Sequence, residues 1–456
     1  MSRTTLLVAN RGEIACRILR AAKTLDLSTV AVYSEADRDL PHVAMADQAV
    51  LIGTARAADS YLKTDALLDA ARQTGASLVH PGYGFLSERA DFARACAQQG
   101  LRFVGPTPEV IDLMGDKERA RRAAADAGVP VLPGTGRLDV DDAAMIEAAG
   151  RRVGFPLIVK AAAGGGGIGM RQVTVPEQLL DAVKSTSTMA GKAFGDSSVY
   201  LERYIEKARH VEIQVFGFGD GRAVHLFERD CSLQRRHQKV IEEARAPLLS
   251  DATRARMAAA AVALAQACRY TGAGTVEFLF DVTQDAFYFL EMNTRIQVEH
   301  PVSEMISGVD LVASQLRQAL GEDLTQALAQ STIHASGHAV EARIYAENPA
   351  KNFMPSPGPL NVLEFPELPD VRFECGYRAG NKVTPFYDPM LMKVVALGAD
   401  RPAAIKRLGE ALAGLRIEGI THNTAYLMAI LKHPRFIAGD VYTSCLADWH
   451  AELIAG

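Results

Sequence analysis

Two glutamates lie in a pair of apolar segments that are separated by a short turn. Glu277 belongs to the segment 274–280 and Glu291 to the segment 287–293. If residues 282–286 form the loop of a simple antiparallel hairpin, Glu277 lies directly opposite Glu291. Cross-strand partners are roughly 5 Å apart, so two carboxylates there repel each other unless a cation lies between them. The spacing therefore predicts a site for magnesium or manganese, which oxygen ligands favour. The alternative is a solvated acidic pair on the outer face of a sheet.

Polar side chains continue along the second segment at every second position. They are Glu291, Asn293, Arg295, Gln297 and Glu299. In an extended chain all five point to the same side, and they mix donors and acceptors next to the expected metal pair. Arg295 could bind a small anion and Glu299 could act as a base. The alternative is the ordinary alternation of a solvated edge strand.

A glycine-rich segment follows an apolar strand predicted at 155–159. Lys160 ends this strand, and five of the six residues 164–169 are glycines, namely Gly164, Gly165, Gly166, Gly167 and Gly169. Glycine lets backbone N–H groups approach phosphate oxygens closely, and a lysine adds a positive charge. The segment is not a P-loop, because no Gly-Lys-Ser/Thr ends it. It predicts a mobile loop that covers phosphate groups, with a flexible turn between two strands as the alternative.

Basic side chains are concentrated between Arg229 and Lys239, in the run RDCSLQRRHQK. The run follows a hairpin predicted from residues 211–216 and 223–227. A charge run is usually a solvated face, but this one could also line a phosphate or bicarbonate site. Charge alone favours neither interpretation.

Three further features carry weaker signals. A predicted strand ends in the glycine-rich turn 80–88, the usual position for ligand contacts on a parallel sheet. His210 could bind a ligand or be a satisfied structural histidine. Arg343 could bind a ligand or simply pair with Glu341 or Glu347.

Alternating strands and helices are predicted in the first hundred residues, where they would position the turn 80–88. The strands are predicted at 4–9, 29–33, 49–52, 77–80 and 102–104, and the helices at 13–25, 63–73 and 91–98. This alternation is typical of a parallel sheet with crossover helices. The first turn reads NRGE rather than G-x-G-x-x-G, which argues against a dinucleotide site. Strands prevail from 154 to about 321, and mixed elements follow from about 331.

The composition is that of a globular protein. The chain has 456 residues, 49 Lys+Arg against 54 Asp+Glu and six cysteines without a Cys-x-x-Cys motif. The length suggests roughly three domains, and the net charge of −5 argues against a nucleic-acid partner. No run approaches the roughly 18 apolar residues of a membrane span. We expect a soluble, cytoplasmic protein with no membrane partner and with neither a zinc ribbon nor a disulfide framework.

Together these motifs resemble the biotin carboxylase component of biotin-dependent carboxylases, within the ATP-grasp superfamily. The resemblance covers almost the whole chain in the family's order. It is carried by 8–14 (VANRGEI), 80–88 (HPGYGFLSE), 113–117 (LMGDK), Lys160 with its glycine loop, 229–239, 291–301 (EMNTRIQVEHP) and 337–343 (GHAVEAR). It implies an α/β protein with three parts. These are an N-terminal parallel α/β domain (1–112), an ATP-grasp domain (113–330) with a small mobile lid at about 131–203, and a C-terminal mixed α/β domain (331–456).

The resemblance also implies a role for each candidate residue, with ATP as substrate and Mg²⁺ or Mn²⁺ as cofactor. The ATP-binding positions are matched by Lys117, Lys160, the loop glycines, Met170, Glu202, His210, Gln234 and His237. The metal ligands are matched by Glu277, Glu291 and Asn293, and the bicarbonate site by Lys239, Arg295, Gln297 and Val298. Catalytic positions are matched by Glu299, Arg295, Lys239 and Arg343. The biotin site is matched by Tyr83 and Arg343.

The implied reaction begins when Glu299 deprotonates bicarbonate for attack on the γ-phosphate, giving carboxyphosphate and ADP. Carboxyphosphate then yields carbon dioxide and phosphate, and phosphate can take the proton from the ureido nitrogen of biotin. Arg343 matches the residue that stabilises the resulting enolate. A loose phosphoryl-transfer state requires positioning and cations, which the carboxylate pair and the lysines supply.

Two departures bear on the final carboxyl acceptor. Ile168 stands where many bacterial biotin carboxylases have arginine, and residues 387–393 differ from the common form. The loop GGGGIGM is more similar to that of urea carboxylases, whereas His237 matches the acyl-CoA group better.

The chain contains no Ala/Val-Met-Lys-Met biotin-attachment motif. Biotin is therefore expected on a separate carrier protein, the biotin carboxyl carrier protein. A separate carboxyltransferase subunit would complete the cycle, and a homodimer is common in the family.

The resemblance thus implies carboxylation of carrier-bound biotin as the first half-reaction of an acyl-CoA carboxylase. Three alternatives stay open. They are a urea-type or other specialised carboxylase, another ATP-grasp ligase that joins an acyl phosphate to an amine, and a nucleotide-binding regulatory subunit with a decayed site.

Overall fold

The structure is a computed structural model that describes residues 3–162, 169–236 and 238–455. Its N-terminal part is a five-stranded parallel sheet with the strand order β3-β2-β1-β4-β5. The elements are β1 (Thr5–Val8), α1 (Gly12–Thr24), β2 (Ser28–Ser34), α2 (Pro41–Met45), β3 (Gln48–Gly53), α3 (Thr64–Thr74), β4 (Leu78–His80), α4 (Ala90–Gln98) and β5 (Arg102–Phe103). The predicted parallel α/β alternation is confirmed, and α2 is an addition that the sequence pattern did not indicate.

The carboxyl ends of β1 and β4 are joined by one side chain. Asn10 follows β1, and its amide Nδ2 donates hydrogen bonds of 2.7 Å to the carbonyls of Pro81 and Tyr83, which follow β4. Gly82 lies against this amide with a φ of +64°, and a Cβ at that position would approach Asn10 Nδ2 to 2.9 Å. The turn after β4 therefore depends on a glycine, and its position is fixed by the turn after β1.

A small subdomain follows, built on the three-stranded antiparallel sheet β7-β6-β8. The elements from the end of the parallel sheet onward are α5 (Pro108–Gly115), α6 (Lys117–Asp126), α7 (Ala143–Val153), β6 (Leu157–Ala161), β7 (Met170–Val173), α8 (Leu179–Phe194) and β8 (Val199–Arg203). Alternating residues of β6, such as Leu157 and Val159, are buried against α7 and α8. The intervening side chains, Lys160 among them, are left on the opposite face.

An eight-stranded antiparallel sheet forms the centre of the molecule, with the strand order β13-β12-β9-β10-β11-β14-β21-β19. Its first part contains β9 (Ala208–Phe218), β10 (Ala223–Arg235), β11 (Gln238–Ala244), α9 (Asp251–Ala267), β12 (Thr271–Asp281), β13 (Ala286–Asn293), α10 (His300–Ser307) and α11 (Leu311–Ala319). The sheet does not stop at residue 330, because β11 pairs with a strand of the C-terminal part. The predicted domain boundaries stay predictions, but one ladder of hydrogen bonds crosses the boundary at 330.

The C-terminal part supplies the other three strands of that sheet and a helical layer. Its elements are β14 (His338–Tyr345), β15 (Glu347–Asn348), β16 (Met354–Pro355), β17 (Gly358–Pro359), β18 (Val362–Glu364), β19 (Val371–Cys375), β20 (Lys382–Val383), β21 (Met390–Gly398), α12 (Arg401–Ala413), β22 (Arg416–Glu418), α13 (Thr424–Lys432), α14 (Pro434–Ile437) and α15 (Cys445–Ala455). Helix α12 packs on β14 and β21, and fully buried residues such as Leu408 and Val394 fill this contact.

A chain of ion pairs joins the N-terminal helix α1 to the rest of the molecule. Arg17 contacts Glu304 at 2.9 Å and Asp310 at 2.6 Å, and Arg372 contacts Glu304 at 2.7 Å. Arg372 and Arg20 both pair with Glu374. We call these six residues the rear network: Arg17, Arg20, Glu304, Asp310, Arg372 and Glu374. Its three cations match its three anions.

No helix in the described part of the chain is both long and apolar enough to span a membrane.

Candidate active site

The hairpin β12–β13 places Glu277 opposite Glu291, as the register predicts. The details differ from the simple hairpin. Asp281 pairs with Ala286, so the turn is one residue shorter than expected, and the register shifts by one between Glu277 and Phe278. Leu290 is the extra residue of this bulge, which restores the predicted pairing. Two departures from the expected geometry therefore cancel.

Glu277 is buried and surrounded by donors. Its Oε1 accepts hydrogen bonds from Lys239 Nζ at 2.9 Å, Asn293 Nδ2 at 2.9 Å and Gln297 Nε2 at 2.8 Å. Its Oε2 lies 3.0 Å from Nε2 of His210. Burial would raise the pKa of Glu277, but Lys239 and His210 hold it well below its usual range. Glu277 is therefore ionised.

His210 is held in its charged form by the same contacts. Burial alone would lower the pKa of His210, but Glu277 raises it to about 9. The other ring nitrogen, Nδ1, lies 3.0 Å from Nε2 of Gln234. His210 thus contacts Glu277 and Gln234 through its two ring nitrogens, and it also lines the cavity described below.

Glu291 differs from its partner Glu277. Within the described residues, no hydrogen bond or ion pair reaches its carboxylate, which faces solvent in the cleft. Desolvation in the cleft and then the charge of Glu277 raise the pKa of Glu291. An acceptor without a donor, opposite a second carboxylate, fits a hard divalent cation with oxygen ligands. Asn293 fits less directly, because its Nδ2 donates to Glu277 and its Oδ1 accepts a 2.8 Å hydrogen bond from Arg295.

Lys239 lies at the centre of the acidic groups. Its Nζ is 2.7 Å from Glu212 Oε2, 2.9 Å from Glu277 Oε1 and 2.6 Å from Glu299 Oε1. Burial would raise the pKa of Glu299, but Lys239 and then Arg343 lower it to about 2. Glu299 is therefore an ionised carboxylate that a lysine shields. We call the following residues the cleft network: His210, Glu212, Lys239, Glu277, Glu299 and Arg343.

Arg343 pairs with neither of its predicted structural partners, Glu341 and Glu347. Its Nη2 lies 2.9 Å from Glu299 Oε2 and 2.5 Å from Glu242 Oε1. Glu347 pairs with Arg235 instead. The pairing hypothesis was wrong because Glu347 lies beyond the end of β14, and Glu242 approaches Arg343 from the neighbouring strand β11.

The extended-strand prediction for 291–299 is also wrong beyond Asn293, where β13 ends. The chain turns toward α10, yet its polar residues still reach the cleft. Arg295 donates to Glu88 at 2.9 Å, and Gln297 donates to Glu277. Val298 contributes its carbonyl, which accepts a 2.5 Å hydrogen bond from Lys393. The four predicted bicarbonate residues, Lys239, Arg295, Gln297 and Val298, all line one cavity.

The basic run 229–239 divides among three environments. Arg229 is completely buried and has a structural role, since it donates hydrogen bonds to Glu212, Gln214, Ser303, Thr275 and Gln297. Gln234 and Lys239 line the cavity, whereas Arg235 pairs with Glu347. The charge run is therefore neither a solvated face nor a single anion site.

The cavity lies between the small subdomain and the eight-stranded sheet and encloses about 520 Å³. Lys160 and Glu202 reach it from β6 and β8 and form an ion pair with each other. Lys117 at the start of α6 and Met170 at the start of β7 also line it. A volume of this size suits a nucleotide.

Some predicted site residues belong to undescribed parts of the chain, and two others make contacts away from the cavity lining. Gly164, Gly165, Gly166, Gly167 and His237 are outside the described residues. Gly169 has a φ of +86°, and its carbonyl accepts a 2.8 Å hydrogen bond from Ala161 N, which joins the ends of β6 and β7. Tyr83 donates to Glu13, and of the two predicted biotin residues it is Arg343 that lines the cavity.

Sequence reasoning missed several residues that complete the site. Glu212, Glu242 and Glu88 each pair with a predicted residue, namely Lys239, Arg343 and Arg295. A signal existed for Glu212, because it interrupts the apolar strand 211–216 between Val211 and Ile213. An acid at such a position is buried and needs a partner.

Comparisons with known proteins agree with this geometry. The chain matches the family models of the biotin carboxylase N-terminal domain over residues 2–111, the carbamoyl-phosphate synthase L chain ATP-binding domain over 116–327, and the biotin carboxylase C-terminal domain over 341–448. These matches and the cavity between two antiparallel sheets place the chain among the ATP-grasp enzymes.

The sequence relatives indicate which family of ATP-grasp enzymes the chain resembles. The chain is 49% identical over 446 residues to biotin carboxylase 2 of Bacillus subtilis, covering 97% of this chain and 99% of the relative. It is 48% identical over 449 residues to the mitochondrial methylcrotonoyl-CoA carboxylase subunit alpha of Glycine max, covering 98% of this chain but 61% of the relative. The chain thus spans about three fifths of that carboxylase subunit.

A solved structure shows the same fold. It is the biotin carboxylase domain dimer of Hydrogenobacter thermophilus 2-oxoglutarate carboxylase, in complex with MgADP, ADP and bicarbonate. It superposes with a TM-score of 0.92 at 40% identity over 99% of both chains. The chain belongs to the biotin carboxylase family and is accordingly a ligase.

Proposed function

We propose that this chain uses ATP and bicarbonate to carboxylate biotin on a separate carrier protein, as the first half-reaction of an acyl-CoA carboxylase. One observation carries the proposal. A buried, ionised Glu299 lies between Lys239 and Arg343, in the cavity that also holds the Glu277–Glu291 pair and Lys160.

Lys239 and Arg295 supply the positive charge for bicarbonate, with Gln297 and the backbone of Val298 beside them. Lys239 is shared among three glutamates. An anion that binds Lys239 therefore competes with Glu299 for the N–H donors of the ammonium group. Both the loss of this contact and the added negative charge raise the pKa of Glu299 above its ligand-free value of about 2. Bicarbonate binding therefore makes Glu299 a stronger base at the moment when Glu299 has to remove the proton of bicarbonate.

Lys160 and Lys117 approach the cavity from the small subdomain and from α6, and we assign them to the phosphates of ATP. Glu277 and Glu291 would hold Mg²⁺ or Mn²⁺, which neutralises charge on the transferred phosphoryl group. Glu202 holds Lys160 in an ion pair, so phosphate binding has to compete for this lysine as well.

Arg343 is the residue we assign to biotin. Glu242 and Glu299 fix its Nη2, while the side chain lines the cavity near the bicarbonate residues. Tyr83 contributes through its position beside Glu13 rather than through the cavity wall. We further propose a homodimer, which acts with a biotin carboxyl carrier protein and a carboxyltransferase subunit in the cytoplasm. Similarity to the methylcrotonoyl-CoA carboxylase subunits supports an acyl-CoA as the final acceptor.

The experiment is ATP hydrolysis by the purified chain with Mg²⁺ and bicarbonate, with and without free biotin. Strong stimulation by biotin is expected. Bicarbonate-dependent hydrolysis that ignores biotin but responds to an amine would contradict the proposal and favour another ATP-grasp ligase. ATP binding without any turnover, even with a carrier protein present, would favour a regulatory subunit. Transfer from carboxylated carrier to an acyl-CoA rather than to urea, with added carboxyltransferase, tests the acceptor.

A further inference from the structure

Two carboxylates that the proposed reaction does not use lie behind the cleft. Glu242 on β11 is directly opposite Glu341 on β14, and both side chains are completely buried. Neither oxygen of Glu341 and neither oxygen of Glu242 has a hydrogen-bond partner among the described residues. Two facing carboxylates in a buried sheet, with a cation on Glu242 alone, cannot both be ionised.

The surrounding cations are already engaged. Lys239 contacts Glu212, Glu277 and Glu299, and Arg343 contacts Glu299 and Glu242. Lys393 is fully buried, donates to the carbonyl of Val298 and lies 3.4 Å from Glu13. These are the charged groups that face the pair from β11, β14, β21, α1 and the turn before α10.

Of the two carboxylates, Glu242 has a cation at 2.5 Å, whereas none of the described cations lies within ion-pair distance of Glu341. Burial and then the repulsion from Glu242 raise the pKa of Glu341 well above its usual range, although Lys393 opposes this. Burial also raises the pKa of Glu242, and Arg343 opposes that increase. The proton of the pair therefore belongs on Glu341.

We infer that Glu341 is a neutral carboxylic acid and serves as a positioning residue for Arg343. Glu341 and Arg343 are two residues apart on β14, so both side chains project from the same face of the sheet. An ionised Glu341 would offer Arg343 and Lys393 a second buried anion and draw them away from Glu299 and Val298. The neutral acid leaves the guanidinium directed at Glu299. The kinetic part of this inference rests on the proposed function, whereas the protonation state does not.

The test uses Glu341→Gln, which keeps the neutral shape at every pH. Glu243→Gln is the matched control, because Glu243 is adjacent to Glu242 and buried but is ionised and held by His338 and Arg401. The infrared difference between wild type and Glu341→Gln at pH 7.5 should show the carbonyl stretch of a protonated carboxyl, with a shift in D₂O. The difference between wild type and Glu243→Gln should not. Glu341→Met, of similar volume and without a carboxyl, replaces the glutamine variant if that variant does not fold.

The kinetic readout is the ratio of the KM for free biotin to the KM for ATP at pH 7.5, because Arg343 is assigned to biotin and Lys160 to ATP. Glu341→Gln keeps the neutral shape beside Arg343 and should leave this ratio unchanged, as should Glu243→Gln. Glu341→Ala removes the group beside Arg343 and should raise the ratio about threefold or more. Absence of the carboxyl band from the Glu341 difference spectrum would overturn the neutral acid. A band without an increase of the ratio in Glu341→Ala would overturn the positioning role. Failure of the proposed function would remove the kinetic readout but leave the infrared result intact.

Discussion

The cleft network and the rear network are both clusters of ion pairs around buried acids, yet they are built differently. In the rear network three arginines alternate with three acids, so each charge has its complement. In the cleft network the three cations His210, Lys239 and Arg343 also equal the acids in number, but they are shared unevenly, because Lys239 alone contacts three glutamates. Among the described residues, no cation contacts the nearby Glu291. Burial of charge therefore does not by itself mark a functional site. What distinguishes the cleft is a carboxylate without a cation, Glu291, beside a cavity where a metal can balance its charge.

The largest expected difference between the networks is catalytic. Replacement of Glu299 by Gln should lower bicarbonate-dependent ATP cleavage by about 10³-fold, since it removes the general base. ATP binding should remain nearly unchanged, because Glu299 contacts the bicarbonate residues rather than Lys160. The control is Glu304→Gln in the rear network, which should retain kcat in the folded protein. Steady-state kinetics measure turnover, and nucleotide titration measures ATP binding, for both variants. Near-normal turnover of Glu299→Gln would show that Glu299 is not the general base.

The second prediction concerns stability instead of catalysis, and here the variant in the rear network should show the large effect. Arg17 is 6% exposed and holds Glu304 and Asp310, so Arg17→Met leaves buried acid without one of its cations. The free energy of unfolding should fall by about 3 kcal/mol, as measured by urea denaturation. Arg3→Met removes an exposed pair with Asp26 and should produce no measurable change. Equal effects of the two variants would show that the rear network does not contribute to stability.

The last prediction separates two buried histidines with opposite charge states. Glu277 raises the pKa of His210 to about 9, whereas burial and then Lys393 hold the pKa of His300 well below its usual range. The contribution of His210 to stability is present below about pH 6.5 and is lost as the pH rises through about 9. That of His300 is present above about pH 6.5 and is lost as the pH falls.

Each histidine should change the unfolding free energy by roughly 1.4 kcal/mol per pH unit within its window. His210→Gln should flatten the alkaline decline, and His300→Gln the acidic one, in urea denaturation of the metal- and nucleotide-free protein. A similar flattening on the same side for both variants would contradict the opposite charges.

The hairpin with Glu277 and Glu291 was predictable from sequence because register in a short hairpin follows from counting residues. The count was correct for the pair although the turn was one residue shorter, since the bulge at Leu290 compensates. Local rules do not predict such a bulge. They also fail beyond Asn293, where the alternation of polar residues continues but the strand does not.

Partners from distant strands could not be predicted. Glu212, Glu242 and Glu88 meet Lys239, Arg343 and Arg295 only through the order of strands in the sheet and the position of the parallel domain. A single sequence carries alternation along each strand but not the pairing between strands far apart in the chain. By contrast, the alternation of strand and helix patterns at the start of the chain predicts all five strands of the parallel sheet.

The continuity of the eight-stranded sheet has a practical consequence for dissecting the protein. A fragment that ended near residue 330 would remove β14 from β11 and leave the backbone of Gln238–Ala244 as an open edge. Open edges of this kind recruit strands from other molecules, so the fragment would tend to aggregate. It would also lack Arg343 and Lys393, which hold Glu299 and Val298 in place. Truncation designs should therefore keep residues 208–398 together and divide the chain elsewhere.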